Sequence, residues 1–182
     1  MGIVNVTPDS FSDGGKYFNP KVAVAYGLHL LEDGADIIDI GGESTRPGAE
    51  AVSSAEEISR IVPVIRELKR VSPGCIISAD TSKAEVAEAA AAAGSDIIND
   101  VTGLQYSPAI AKVAAEYGTG LILMHMRGTP ENMQAAENLK YDDVVKEVSA
   151  FLLQAAEKAL ASGRPRFGHG RDKPFHPGEK AA

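Results

Sequence analysis

Cysteine is almost missing from this chain. Cys75 is its single thiol, so no internal disulfide can form, and a reducing compartment, the cytoplasm, is expected. Positive charge is also scarce: 18 Lys and Arg stand against 25 Asp and Glu, a formal net charge of −7. That balance gives no electrostatic case for nucleic acid or an anionic membrane as a partner. No apolar run approaches the roughly 18 residues of a membrane span, and residues 1–5 lack the basic-then-apolar pattern of a secretory signal. Nucleotide fingerprints are absent: G-x-G-x-x-G does not follow the first apolar run, and no G-x-x-x-x-G-K-[ST] occurs. There is no G-x-S-x-G nucleophile elbow, and the histidines at 29, 125, 169 and 176 show no paired metal spacing. Covalent catalysis therefore has no strong candidate, and no zinc site is assigned.

What is present is 182 residues, 44% hydrophobic and 24% charged, enough for a folded core without staples. Short apolar runs predict strands at 2–6, 36–40, 75–79, 96–99 and 120–126. Helical patterns follow at 22–31, from 54 through 68, from an opening at Asp80-Thr81-Ser82-Lys83 to an end at Gly94, at 109–117 and at 142–160. Ser54 is expected to cap the second helix, with Glu57 completing a capping box, and Ile58, Ile61, Val62, Ile65 and Leu68 then keep the 3.6-residue period. The segment GADII at 34–38 is echoed as GSDII at 94–98, which is two βα units of about 30 residues. Five such units predict a parallel sheet covered by helices.

Each predicted strand ends in a polar pair: Asn5 and Asp9, Asp39 and Arg46, Asp80 and Lys83, Asn99 and Asp100, His125 and Arg127. A ring of polar groups at strand carboxyl ends is how a (β/α)8 barrel builds its site, so an α/β barrel of the TIM type is expected rather than an open doubly wound sheet. The barrel domain is assigned to 1–162. Residues 163–182 hold four glycines, three prolines and seven charged residues but no Ile, Leu, Val or Met, and are expected to be a disordered tail.

Two loops stand out chemically. The stretch 7–16 (TPDSFSDGGK) can offer backbone N–H groups and hydroxyls to an anion and carboxylates to a metal, or be an ordinary polar turn; Phe11 at its centre is either a lid or rim packing. The stretch 41–48 (GGESTRPG) carries Arg46, whose planar fork suits phosphate or carboxylate, a structural salt bridge being the alternative. Asp80 can accept hydrogen bonds from a ligand at the barrel mouth or cap the next helix, a role that Thr81 or Ser82 can also take. Asn99 can read a donor–acceptor edge. His125 reads as a packed group, Cys75 as core, and Met133 and Gln134 as helix residues.

Taken together, MGIVNVTPDSFSDGGKY (1–17), DIIDIGGESTRPGA (36–49), ISADTSKAEVA (77–87), DIINDVTG (96–103) and LILMHMRGTPENMQ (121–134) resemble the successive motifs of the dihydropteroate synthase family of pterin-binding enzymes, over about residues 1–165. The resemblance implies a (β/α)8 barrel, here incomplete with about five units. It implies a transferase that condenses 4-aminobenzoate with 7,8-dihydropterin-6-ylmethyl diphosphate, giving 7,8-dihydropteroate and diphosphate, with Mg2+ as cofactor, sulfonamides as competitors and a homodimer as assembly. On it, Asn5 would bind the magnesium diphosphate, Asp9, Ser10 and Asp13 belong to a mobile first loop, and Phe11 closes over 4-aminobenzoate. Thr45, Arg46 and Pro47 form a second loop near diphosphate and aminobenzoate. Asp80 and Asn99 hold the pterin edge, Val101 and Met124 line its pocket, and Asp80, Asn99 and Arg46 carry catalysis.

That chemistry needs no protein nucleophile, because diphosphate departure leaves a resonance-stabilised cation that the amine attacks. It needs charge stabilisation and exclusion of water. The family's later groups, an Asp-Pro-Gly segment, two lysines and an Arg-x-His, are not found; HPGEK at 176–180 is only a superficial echo. Five units of roughly 32 residues scale to about 260 for eight, so the chain reads as about five-eighths of a barrel. The alternatives are a catalytically inactive pterin-binding fragment and, disfavoured by the first two motifs, a pterin-dependent methyltransferase domain.

Overall fold

The structure is a computed structural model that describes residues 1–7, 19–44, 51–128, 132, 135–136 and 138–163. Along the chain run β1 (Gly2–Asn5), α1 (Pro20–Glu32), β2 (Ile37–Gly41), α2 (Ser54–Val71), β3 (Ile76–Asp80), α3 (Ala84–Ala93), β4 (Ile97–Asp100), α4 (Ala109–Tyr117), β5 (Gly120–Leu123) and α5 (Val144–Ala161). The predicted five units are all there, in the predicted order.

Local chemistry sets the boundaries. Asn19 opens α1, its side chain accepting from the Lys21 N–H at 3.0 Å, with Pro20 in the first turn, where its missing N–H costs nothing. The α2 cap differs from expectation: Ser53, not Ser54, accepts from the Glu56 N–H at 3.2 Å. Glu56 then occupies the position a capping box needs, but pairs with Arg60 at 2.5 Å. Glu57, expected in the box, is instead only 1% exposed and faces inward. The strand predicted to 126 ends at Leu123. The Met124 N–H still donates to the Asp100 carbonyl at 3.2 Å, but the Met126 carbonyl accepts from the Gln105 side chain and leaves the ladder.

The five strands are parallel, in the order β1-β2-β3-β4-β5. Each pairs with its sequence neighbour, as in a barrel wall; a doubly wound sheet reverses direction at a switch point. In-register residues of parallel strands share a face. Val4, Ile40, Ala79, Ile98 and Leu121 form one row, and its first four members are fully buried beneath the helices. With Ile38, Ile61, Ile65, Leu68, Ile77 and Ile110 they make the core, where each large side chain contributes about 1.5–3 kcal/mol. Cys75 packs at its edge, and burial pushes its thiol pKa up. The opposite face carries two rows: Ile3, Asp39, Ser78, Ile97 and Gly120, then Asn5, Gly41, Asp80, Asn99 and Ile122. There the end strands lack cover: Ile3 is 58% and Ile122 36% exposed. Among the described residues no helix is long and apolar enough to cross a membrane. The tail from 164 onward, and Met133 and Gln134, lie outside the described residues.

Candidate active site

The row Asn5, Gly41, Asp80 and Asn99 crosses the carboxyl ends of β1 to β4 on the face turned away from the helices. Gly41 is the gap in it. A Cβ there would lie 3.4 Å from Asp80 Oδ2 and 3.8 Å from Asn5 Oδ1, so the side chains from either side converge over the glycine. Gly42 serves packing instead: a Cβ would sit 2.9 Å from Ile61 Cγ2 and 3.0 Å from Glu57 Cγ, so the chain passes flush against α2.

Asp39 lies one row deeper, buried, and accepts from Asn99 Nδ2 at 3.2 Å. Burial holds its pKa above the ordinary carboxylate value, against the neighbouring Ser78 hydroxyl and the Asn99 amide, which pull it down. The contact fixes which way the Asn99 amide faces and leaves its carbonyl oxygen for a ligand. Asp80 is pushed further, to about 7, first by burial and then by the negative charges of Asp39, Glu57, Asp100 and Glu43. Near neutral pH it is therefore poised between a protonated form that donates and an ionised form that accepts twice. Such a group suits a flat heterocycle edged with N–H donors and ring acceptors. Asp80 does not cap α3: Lys83 holds the cap position, and Thr81 Oγ1 accepts the Lys83 N–H at 3.2 Å.

Other predicted residues go elsewhere. Asp100, paired with Asn99 in the sequence reading, is fully buried on the helix side. It accepts from Thr102 N and Oγ1 at 2.8 and 2.7 Å and from Leu104 N at 2.7 Å, folding the turn after β4. That turn includes Leu104 at φ +65, a left-handed conformation costly for a branched side chain, and it begins at half-buried Val101. Arg127 leaves the strand ends altogether. It pairs with Glu147 and the Lys140 carbonyl and stacks over the Tyr141 ring at 4.0 Å. His125 packs edge-on against Phe151 at 4.9 Å, in line with its reading as a packed group. Met124 is 42% exposed just past β5. Phe11, Asp9, Ser10 and Asp13 of the first loop and Thr45, Arg46 and Pro47 of the second lie outside the described residues.

Sequence reasoning missed a cluster beside Asp80. The Lys83 ammonium donates to Glu57 Oε2 at 2.7 Å, Glu43 Oε2 at 2.9 Å and the Val52 carbonyl at 2.7 Å. One signal was available: Glu57 stands four residues before Ile61, on the apolar stripe of α2, where a carboxylate must find a partner. For a metal, the described residues contain no group of three His, Cys, Asp or Glu side chains. Asn5, exposed at the end of β1, offers one carboxamide oxygen.

The sequence model of the pterin binding enzymes matches residues 1–166. The dihydropteroate synthase of Bacillus subtilis (strain 168) is 47% identical over 163 residues, which are 90% of this chain and 54% of that enzyme. Among solved structures, Xanthomonas albilineans dihydropteroate synthase with 4-aminobenzoic acid superposes with a TM-score of 0.77 at 48% identity, covering 90% of this chain and 56% of that one. The Yersinia pestis dihydropteroate synthase in a sulfonamide drug complex gives a TM-score of 0.79 at 46% identity, with coverage of 90% and 58%. The chain spans about half the length of these relatives.

Proposed function

The chain belongs to the pterin-binding enzyme family, and on that premise we propose that it binds a 7,8-dihydropterin and serves the dihydropteroate synthase reaction. The observation that carries this reading is the row over Gly41, in which Asp80 and an Asn99 oriented by Asp39 face the same space. Asp80 accepts N–H groups of the pterin edge, and the Asn99 carbonyl accepts another. As the bond between the pterin methylene and the diphosphate oxygen breaks, its electron pair leaves with diphosphate and positive charge spreads into the pterin. The Asp80 carboxylate, in surroundings of low dielectric, stabilises that charge. The 4-aminobenzoate nitrogen then forms the new C–N bond and loses a proton to solvent or diphosphate.

In this reading Arg46 holds the departing anion, with Thr45 and Pro47 shaping that loop, and Val101 and Met124 flank the pterin. The segment of Asp9, Ser10, Phe11 and Asp13 excludes water. In this reading the Asn5 carboxamide oxygen would be the protein's ligand to magnesium, with diphosphate oxygens and water completing its shell. When bound it neutralises charge on the leaving group. The single buried cysteine supports action in a reducing compartment, the cytoplasm.

A second reading rests on the same row alone: Asp80 and Asn99 over Gly41 also suit a module that holds pterin without turning it over. Calorimetry with 6-hydroxymethyl-7,8-dihydropterin, run beside a diphosphate-release assay with 4-aminobenzoate and magnesium, decides between them. Binding with release supports the synthase, binding alone supports the holding module, and no pterin binding overturns both.

A further inference from the structure

We propose that Asp39 and Ser78 form a second polar subsite on the inner face of the sheet, one row below Asp80 and Asn99. It holds one ordered water in the free chain and offers the same two oxygens to an amino group of a bound heterocycle. The inference deepens the functional reading above and rests on it for the identity of the ligand, though not for the subsite itself. Asp39 of β2 and Ser78 of β3 are partners in register, so their side chains stand next to each other on the face turned away from the helices. Asp39 is 5% exposed and Ser78 not at all. Asp39 Oδ2 is taken by Asn99 Nδ2 at 3.2 Å. Among the described residues, Asp39 Oδ1 and Ser78 Oγ have no hydrogen-bond partner, and no lysine or arginine pairs with Asp39.

The remaining buried oxygens without a partner are placed differently. The charge of Glu57 is met by Lys83 through Oε2, and Ser95 and Thr119 precede β4 and β5, at the end of the sheet away from Asp80 and Asn99. At Asp39 and Ser78 two complementary demands meet instead. A buried carboxylate oxygen needs a donor, a buried hydroxyl has a proton to give, and leaving either unmade is costly. One water settles both: it donates to Asp39 Oδ1, accepts from the Ser78 hydroxyl and keeps its second O–H for an acceptor on the ligand. A polar niche with two protein partners is enough to hold it. An amino group meets the same niche with its two hydrogens, one to each oxygen, and so takes the place of the water without loss of hydrogen bonds.

Ser78→Ala tests the subsite with little risk to the fold, since it removes a single oxygen. A crystal structure of the ligand-free parent is expected to show one water within hydrogen-bond distance of both Asp39 Oδ1 and Ser78 Oγ. By calorimetry, Ser78→Ala should bind 6-hydroxymethyl-7,8-dihydropterin roughly fivefold more weakly than the parent does. The 2-desamino analogue then tells the two occupants apart. If the amino group replaces the water, parent and variant bind the analogue alike; if the water stays, the variant binds the analogue more weakly by the same factor. Either pattern supports the subsite. Unchanged dihydropterin affinity in Ser78→Ala overturns it, as does a ligand-free structure in which the two oxygens bond directly with no water between them. Should the parent bind no dihydropterin at all, the functional reading fails, and the ligand-free structure still decides whether Asp39 and Ser78 hold a water.

Discussion

Asp80 keeps its proton up to about pH 7 in the folded chain, whereas an unfolded aspartate loses it near 3.8. Between those values the native state binds more protons than the unfolded state, so this residue's contribution to stability falls as pH rises through the window, by at most about 1.4 kcal/mol per pH unit. Asp80→Asn removes the penalty: its melting temperature should exceed that of the parent at pH 8 and converge with it at pH 4. The same substitution should weaken dihydropterin binding roughly tenfold, the cost of losing an ionised acceptor; unchanged affinity would remove Asp80 from the site. Gly42→Ala should destabilise by about 1–3 kcal/mol, because the new methyl meets Ile61 and Glu57 at 3.0 Å or less; a denaturant midpoint equal to that of the parent would refute that. The places of Asp80 and Asn99 at strand ends were legible in the sequence because each follows an apolar run that must be a strand. Lys83, Glu43 and Glu57 were not, since their bonds join residues 26 and 40 positions apart and only the packing of α2 beside α3 brings them together.

At the scale of elements, α2 begins where Ser53 can reach the Glu56 N–H. Ser53→Ala should cost about 1 kcal/mol and Ser54→Ala a few tenths, as read by thermal melts of the two variants; the reverse order would restore the cap predicted from the sequence. Periodicity found every helix, because the apolar stripe and the helical repeat are the same physical fact. It misplaced this cap by one residue, since the box rule assumes that the third residue turns back to the helix start. Here Glu56 is taken by Arg60 and Glu57 by Lys83. The strand predicted to 126 failed in a similar way: the apolar run continues past Leu123, but Gln105 takes the Met126 carbonyl that a ladder would have used. The loops that carry the two most characteristic motifs, 8–18 and 45–50, lie outside the described residues, and the roles of Arg46 and Phe11 rest on the family likeness.

For the sheet as a whole, the face beneath the helices is covered and, among the described residues, the opposite face is not covered at its end strands. β1 and β5 each have one strand neighbour among the described residues, and Ile3, Ile122 and Met124 stand exposed between them. Unpaired edges beside apolar side chains promote association. The chain is therefore expected to form concentration-dependent dimers or larger species in sedimentation velocity, and Ile3→Lys with Ile122→Lys should shift it toward the monomer. A monomer at all concentrations would show that the inner face is covered within the chain. The parallel order of the strands was legible because each βα unit must cross over in the same sense.

That strand order also governs how the molecule is made. Every strand pairs with the strand next to it in sequence, so each new unit can dock on its predecessor as the polypeptide leaves the ribosome. Chain-closure entropy is then met in successive instalments of about one βα unit each, which favours vectorial folding. In a closed (β/α)8 barrel, the join of last strand to first is the one pairing that must await the end of synthesis.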